Sequence, residues 1–201
     1  MKKILYIMIC IVTVLFSSCD TESTGDVSSV TNFAVFEYTD FTVIPIGGSY
    51  TPYAKAFENG SEIEVSITSN LDVNTVGAYI ITYSAVNSDG FPAQVSETVI
   101  VHDPSIVGTD VTGLIEDAGR PSRTGEITLV PGTTSIFLSS DFGFGGTFPV
   151  YFQMDGDTIS EIPQTYTFGA TQVDLTYDPV TKQFTTLIYP FGYAYTFRYQ
   201  Q

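Results

Sequence analysis

Residues 77–101 read GAYIITYSAVNSDGFPAQVSETVIV. Two runs rich in Val, Ile, Thr and Tyr flank the turn-forming residues 87–90, and such runs are typical of paired β-strands. The same composition continues along the chain, which has 13 Tyr, 15 Phe and 17 Gly and almost no stretch with helical periodicity. We therefore predict an all-β protein.

This stretch resembles the late strands of the bacterial immunoglobulin-like (Ig-like) domains found in surface proteins. Those strands share a Gly-x-Tyr-x-x-x-Tyr run, an acidic turn and a closing Val-x-Val-x-Asp run. Upstream, residues 62–67 alternate between polar and apolar side chains. The resemblance implies an Ig-like β-sandwich over residues 32–103, a module that commonly serves as a spacer. The residues on the pattern are Gly77, Tyr79, Tyr83, Gly90, Val99, Val101 and Asp103.

Residues 107–201 are predicted to form a second antiparallel β-domain, either a small barrel or a sandwich. Turn signals recur at short intervals between runs of β-forming residues, and residues 178–182 are expected to close a hairpin. The predicted strands of this domain lie near residues 127–130, 135–140, 148–154, 164–168, 172–177, 183–189 and 193–199.

The first twenty residues have the order of a signal peptide. Two lysines precede an apolar run over residues 4–16, which small residues and Cys19 follow. The run is too short to span a hydrocarbon core of about 30 Å comfortably, and no stop-transfer pattern follows it. We therefore expect residues 1–18 to be removed as a leader.

Residues 15–19 resemble the lipobox of bacterial lipoproteins, which implies that the Cys19 thiol carries acyl chains such as palmitate. Cys10 lies in the predicted leader, so the mature chain would keep Cys19 alone and could form no internal disulfide. An ordinary secretory signal with an incidental cysteine is the alternative. Two or three acyl chains hold a protein durably, since each buried methylene contributes about 0.8 kcal/mol. The membrane is thus a predicted partner through a lipid anchor.

The order of leader, tether, Ig-like domain and compact aromatic β-domain resembles Bacteroidota surface lipoproteins whose C-terminal β-domain is uncharacterised. Residues 19–31, rich in Ser, Thr, Gly and Asp, are expected to form the flexible tether. Asp20, Glu22 and Asp26 resemble the surface-export signals of such proteins. The resemblance implies anchoring in the outer membrane, on the cell surface or on the periplasmic face.

The charge balance excludes nucleic acid as a partner. The chain has 22 Asp and Glu against seven Lys and Arg, a net charge of −15, and removal of Lys2 and Lys3 makes it two units more negative. A body this acidic lacks the basic stripe that phosphate binding requires.

Aromatic residues recur at every second position from residue 189 to residue 199. Because side chains alternate across a strand, the rings are expected to share one face of a sheet. That face is either buried against a partner sheet or exposed as a platform on which sugar rings stack. The ligand-binding candidates in this stretch are Tyr189, Tyr193, Tyr195 and Tyr199.

A second group of aromatic residues lies in the glycine-dense segment 142–151. Glycines at this density indicate a loop or a bulge. Phe142 and Phe144 are candidates for an exposed lip that binds a ligand. Folded inward, they would instead plug one end of a barrel.

The sequence offers no motif for catalysis or metal binding. His102 is the only histidine, so no zinc cluster or histidine-based triad can form in one chain, and we expect it on the surface of the interdomain linker. Asp155 and Asp157 have the spacing of a solvated hairpin turn, with a calcium site as the alternative. A glycosidase needs two carboxylates about 5 to 10 Å apart, and the candidate carboxylates show no motif. We predict no metal, no cofactor and no enzymatic activity.

The expected function is therefore that of a non-catalytic envelope lipoprotein that binds a ligand. A glycan presented to an uptake system is the hypothesis that makes most use of the tyrosine face and the lipid anchor. The alternative is a structural or protein-interaction subunit of an envelope or adhesion assembly.

We expect mass spectrometry of the native protein to find residues 1–18 absent and Cys19 carrying two or three acyl chains. Cys19→Ser removes the acceptor thiol, so the acyl mass and the partition into membranes should both be lost. A native protein with an intact leader or an unmodified Cys19 would contradict the anchor.

Overall fold

The computed structural model describes residues 31–145 and 147–200. The predicted leader 1–18, the predicted lipidation residue Cys19 and the tether up to residue 30 lie outside the described residues. Within those residues the chain forms strands β1 to β15 and no helix, which confirms the all-β prediction. Accordingly, no described segment is a helix of the length and apolar character needed to cross a membrane.

Seven strands make up the Ig-like part: β1 (Val35–Tyr38), β2 (Phe41–Pro45), β3 (Ala54–Glu58), β4 (Ser61–Ile63), β5 (Ser66–Ser69), β6 (Gly77–Val86) and β7 (Pro92–His102). One sheet has the strand order β1–β3–β4, and the other has the order β2–β7–β6–β5. The pairings are antiparallel except for that of β2 with β7, which is parallel.

β6 and β7 form the long hairpin that the sequence predicts, with Gly77 opposite Val101. Asn87 closes its turn, because its side-chain Oδ1 accepts a hydrogen bond from the Phe91 backbone N at 2.7 Å. The Asn87 backbone N donates to the Phe91 carbonyl oxygen at 3.1 Å. Gly90 has a φ of +84°, which glycine adopts without steric cost. These turn residues fix the register of the hairpin.

The alternating segment 62–67 is divided between the two sheets. β4 ends at Ile63 and β5 begins at Ser66, and Val65 between them packs against two hydrophobic clusters of the Ig-like part. The alternation thus marks an apolar side chain that faces inward, but the chain crosses from one sheet to the other instead of continuing as one strand.

A buried carboxyl group lies in the core of the Ig-like part. Glu97 is fully buried, and its oxygens accept hydrogen bonds from Thr42 Oγ1 at 2.6 Å, from Tyr83 OH at 2.7 Å and from the Tyr50 hydroxyl. Burial raises the pKa of Tyr83, and the hydrogen bond to Glu97 adds to that rise. Three hydroxyl donors therefore satisfy a polar group that would otherwise be costly to bury.

Eight strands make up the C-terminal part: β8 (Gly113–Asp117), β9 (Arg120–Leu129), β10 (Ile136–Ser139), β11 (Val150–Asp155), β12 (Thr158–Glu161), β13 (Gln172–Asp178), β14 (Gln183–Tyr189) and β15 (Tyr193–Tyr199). They form one antiparallel sheet of order β12–β11–β10–β9–β8–β15–β14–β13. Two meanders, β8 to β12 and β13 to β15, are joined where β15 pairs with β8.

Most of the predicted strands are present in this sheet, but the one at 164–168 is wrong. Here the Gln164 side chain replaces a strand partner: its Oε1 accepts from the Tyr151 N at 2.9 Å, and its Nε2 donates to the Tyr151 carbonyl oxygen at 2.6 Å. Phe168, with a φ of +57°, then turns the chain. β8 and β12 were not predicted.

The sheet curls until its two edge strands meet, so that it is nearly closed. Glu161 at the end of β12 accepts hydrogen bonds from the Val173 N of β13 at 3.2 Å and from Tyr166 OH at 2.5 Å. The inner face encloses one hydrophobic core. Its buried residues are Val111, Ile115, Ile127, Phe137, Phe142, Phe148, Val150, Phe152, Met154, Ala170, Val173, Phe184, Ile188 and Phe197.

Phe142 lies inside this core, which corrects one of the ligand-binding predictions. Its ring is fully buried, with its centroid 5.6 Å from those of Phe152 and Phe184 and 5.5 Å from that of Phe197. The Phe142 carbonyl oxygen accepts a hydrogen bond from Thr186 Oγ1 at 3.0 Å. A ring enclosed in this way cannot reach a ligand. Phe142 is a plug of the sheet, as the inward alternative predicts.

The Ig-like and C-terminal parts share a hydrophobic cluster and belong to one compact unit, Phe33–Gln201. A backbone hydrogen bond of 2.8 Å from the Ala78 N to the Pro163 carbonyl oxygen also joins them. The predicted domain boundaries at 32–103 and 107–201 stay predictions. The buried residues of the shared cluster are Ala78, Ile100, Val130, Ile136 and Ile162.

His102 is the last residue of β7 and is only 8% exposed, so the prediction of a surface position is wrong. Its carbonyl oxygen accepts a hydrogen bond from the Ile46 N at 2.8 Å. Among the described residues, its Nδ1 atom has no hydrogen-bond partner. Burial lowers the pKa of the imidazole, and the nearby Asp103 carboxylate opposes that shift.

Phe142→Ala is expected to lower the free energy of unfolding by about 3–5 kcal/mol, because it leaves a cavity in the centre of the core. Phe168→Ala, at a ring that is 62% exposed, should change that free energy by about 0.5 kcal/mol or less. Urea unfolding followed by circular dichroism measures both. Two small and equal effects would contradict the buried position of Phe142.

Because the chain has a single histidine, its imidazole titration can be followed without ambiguity by NMR. We expect the midpoint for His102 to lie below the ordinary value of about 6.5. The folded protein favours the neutral ring, so this contribution to stability is present above about pH 6.5 and is lost as the pH falls through the lower, folded-state pKa. A midpoint at or above 6.5 would show that the ring is not held in a desolvated position.

Candidate ligand-binding site

β15 carries its aromatic side chains on the inner face of the sheet, and their burial changes along the strand. Phe197 is fully buried, Tyr195 and Tyr199 are partly buried against the core, and Tyr193 is 49% exposed. Tyr193 lies opposite the buried Ile188 of β14, which sets its face. The predicted alternation holds within this strand, but only its first residues reach solvent.

Tyr189 departs from the predicted common face. It ends β14, in which Thr186 and Ile188 face inward, so its own side chain lies on the outer face. A hydrogen bond with Asp174 of the neighbouring β13 raises the pKa of its phenol. The chain reverses between β14 and β15, and this reversal leaves Tyr189 and Tyr193 on opposite faces.

Tyr199 lies at the other end of β15 and belongs to a different surface from Tyr193. Its hydroxyl donates to the Val111 carbonyl oxygen at 2.8 Å, and burial raises its pKa to about 12. It lines a groove of about 510 Å³, which we call the second groove to distinguish it from the groove beside Tyr193 described below. The other residues of this second groove are Thr109, Asp110, Thr112, Asp157, Tyr177, Pro179 and Lys182.

Five rings meet where β15 begins, and we call them the aromatic cluster: Phe144, Phe168, Phe191, Tyr193 and Tyr195. The Phe144 centroid lies 5.6, 6.2, 5.8 and 6.4 Å from those of the other four, in that order. Phe191 and Tyr193 stack, with centroids 5.7 Å apart and planes 14° apart. The structure thus brings the predicted candidates Phe144, Tyr193 and Tyr195 together.

The loop before β11 places Phe144 in the aromatic cluster. Phe142 anchors this loop in the core, and Asp141 Oδ1 accepts hydrogen bonds from the Gly143 N at 3.0 Å and the Phe144 N at 3.1 Å. Glycine at residue 143 lets the loop pack closely on β14, because a Cβ there would lie 2.5 Å from Cδ1 of the buried Ile188 side chain, which would have to shift. The two phenylalanines consequently have opposite roles, one buried and one half-buried at the surface.

Phe168 and Phe191 belong to the aromatic cluster but were not among the predicted ligand-binding residues. Each is followed by a glycine with positive φ, and neither lies in a strand. The available signal is the Phe-Gly pair, which recurs at 142–143, 144–145, 168–169 and 191–192. Such pairs place an aromatic ring at a turn, where strand alternation says nothing about its direction.

A groove of about 680 Å³ opens beside Tyr193 and Tyr195, and we call it the arginine groove. The β8–β9 hairpin supplies one part of its lining and the start of β15 supplies the other. Its volume falls within the range of about 300–1,000 Å³ that is typical of small-ligand sites. Its lining residues are Asp117, Gly119, Arg120, Arg123, Gly192, Tyr193, Ala194, Tyr195 and Thr196.

Arg123 joins the arginine groove to the aromatic cluster. Its guanidinium carbon lies 5.4 Å from the centroid of the Tyr195 ring, a cation–π distance. Its Nη1 donates to the Gly143 carbonyl oxygen at 3.3 Å and lies 3.8 Å from Asp117 Oδ2. One side chain therefore contacts the β8–β9 hairpin, the loop before β11 and β15, so that groove and cluster form one continuous surface.

The acidic pair that suggested a calcium alternative lies in the hairpin between β11 and β12. Asp157 Oδ1 accepts a hydrogen bond from Thr109 Oγ1 at 2.6 Å, and Gly156 between the two carboxylates has a φ of +54°. Within residues 31–145 and 147–200, no group of three or more His, Cys, Asp or Glu side chains could hold a metal ion.

Residues 39–101 match the family model for the Ig-like domain of bacterial surface proteins, which confirms the resemblance predicted from the hairpin of β6 and β7. The crystal structure of a lipoprotein from Bacteroides thetaiotaomicron is similar to the chain at 24% sequence identity and a TM-score of 0.41, over 82% of this chain and 98% of that one. No curated protein matches the sequence. The chain therefore contains a bacterial surface Ig-like domain, followed by a nearly closed sheet of eight antiparallel strands.

Proposed function

We propose that this chain is a lipid-anchored, non-catalytic protein of the cell envelope that binds a glycan through the aromatic cluster. One observation carries the proposal: Phe168, Phe191 and Tyr193 lie around Phe144 with exposures of 62%, 42% and 49%. Removing aromatic rings from water lowers the free energy of the system. A surface that keeps several rings exposed side by side is therefore typical of a binding site.

The chemistry of this surface suits a sugar ring. The apolar face of a pyranose can lie on the exposed rings of Phe191 and Tyr193, as aromatic side chains favour such stacking. Hydroxyl groups at the edge of the sugar can then reach polar groups of the arginine groove, among them the Arg120 guanidinium.

The Ig-like domain supports a location in the cell envelope, since its family is described from bacterial surface proteins. Acyl chains on Cys19 would hold the protein at the outer membrane, on the cell surface or on the periplasmic face. The tether 19–31 and the Ig-like domain then act as spacers between the anchor and the ligand-binding sheet.

The lining of the arginine groove supports a role without catalysis. It includes one carboxylate, Asp117, whose Oδ1 accepts a hydrogen bond from the Gly119 N at 2.8 Å and whose Oδ2 lies near Arg123. Glycoside hydrolysis uses two carboxyl groups about 5 to 10 Å apart on either side of the scissile bond. A groove lined by a single, internally bonded carboxylate is suited to binding.

The alternative, a structural or protein-interaction subunit of an envelope or adhesion assembly, is favoured by a second exposed apolar surface. Phe33 and Phe91 of the Ig-like part are 57% and 48% exposed, and their ring centroids lie 6.1 Å apart. Val35 is 68% exposed. Apolar side chains of this kind suit contact with another protein.

An unacylated form beginning at Asp20 tests the glycan proposal by affinity electrophoresis through neutral and acidic polysaccharides. We expect saturable retardation by at least one of them. Tyr193→Ala and Phe191→Ala should each weaken it about two- to tenfold, since each removes one ring from the stack. Tyr53→Ala is the matched control, because it removes a 63% exposed tyrosine from the Ig-like part and should leave the retardation unchanged.

Unchanged mobility across the whole panel would contradict glycan binding. Crosslinking to an envelope protein in cells, lost in Phe33→Ala or Phe91→Ala but retained in Tyr193→Ala, would establish the alternative in its place.

A further inference from the structure

The few cations of this acidic chain are distributed unevenly. Five Lys and Arg follow the predicted leader, against 22 Asp and Glu, and two of those five, Arg120 and Arg123, line the same groove. Lys55 is paired with Glu62 at 3.0 Å, and Arg198 with Glu116 at 2.9 Å. The chain as a whole is acidic, and the groove beside the aromatic cluster is unusual because it contains two arginines.

The two arginines of the groove differ in whether a nearby carboxylate balances their charge. Arg123 is held by Asp117, by the Gly143 carbonyl oxygen and by the Tyr195 ring. Arg120, at the start of β9, is exposed and forms no ion pair within the part of the chain that the structure describes. The groove thus carries one positive charge that no side chain of its own lining balances.

We infer that the ligand of the arginine groove is an acidic saccharide, whose pyranose ring lies on Tyr193 and whose carboxylate or sulfate binds Arg120. This inference rests on the proposed glycan binding and names the class of glycan. A guanidinium presents a planar fork of N–H donors that matches a carboxylate or a sulfate, and such charge-assisted pairs are stronger than hydrogen bonds between neutral groups.

The arrangement also separates the two parts of such a ligand. Tyr193 and Arg120 both line the groove, so a ring on the first and an anionic substituent at the second can be held at once. The second groove contains a cation, Lys182, together with Asp110 and Asp157, so its positive charge is outweighed by its own lining. The negative charge of the whole chain disfavours polyanions elsewhere on the surface.

Isothermal titration of the unacylated form from Asp20 tests this preference with chemically matched ligands. Oligogalacturonate is compared with its methyl ester, which has the same backbone without the charge. A sulfated galactan oligosaccharide is compared with its desulfated form, so that the two pairs separate a carboxylate from a sulfate. We expect at least one acidic member to bind about tenfold more tightly than its neutral counterpart, as a charge-assisted contact of this kind provides.

Arg120→Gln should bring the affinity for the acidic ligand down to about that of its neutral counterpart, because glutamine keeps a hydrogen-bond donor for sugar hydroxyl groups but lacks the charge. Lys182→Gln, which removes the cation of the second groove, should preserve the preference. Equal binding of both members of each pair, or a preference that survives Arg120→Gln, overturns the inference while leaving glycan binding in place. If these four ligands and the polysaccharide panel all fail to bind, both the inference and the proposed function are wrong.

Discussion

The insertion of Phe142 into the curled sheet is the contact on which the proposed site depends. Its ring packs among Phe152, Phe184 and Phe197, which come from three different strands, and so it anchors the loop before β11 at a fixed depth. Gly143 is buried beside it, and Phe144 follows as a half-buried residue at the margin of the core. Phe144 therefore lies where the rings of β15 and of two turns can gather around it.

The same core divides the aromatic face of β15 into a buried part and a solvent-exposed part. Phe197 lies over the middle of the sheet and is enclosed, whereas Tyr193 lies at its margin and is half-exposed. The β8–β9 hairpin borders this margin and adds Arg120 and Arg123, so charged donors stand beside exposed rings. A single strand thus contributes to stability at one point and to the candidate site a few residues away.

Local patterns predicted the strands well because alternation and turn residues act over short distances. The β6–β7 hairpin, the meander of β13 to β15 and the common face of Tyr193 and Tyr195 all follow from them. The position of Phe142, the outer face of Tyr189 and the approach of Phe168 to Phe144 do not, since each depends on which distant segments the closing sheet brings together. The pairing state of the arginines is likewise a property of the folded surface. Sequence spacing alone could not have shown that Arg123 is paired with Asp117 whereas Arg120 forms no ion pair among the described residues.

The claim that aromatic cluster and arginine groove form one binding surface can be tested most directly by mapping a bound ligand onto individual residues. Amide chemical-shift changes of the ¹⁵N-labelled unacylated protein, titrated with an acidic oligosaccharide, report this map. The account predicts saturable changes concentrated at Arg120, Gly192 and Tyr193, with the backbone of the second groove unaffected. Changes centred on Thr109 and Asp157, on the Ig-like part, or nowhere at saturating ligand would contradict it.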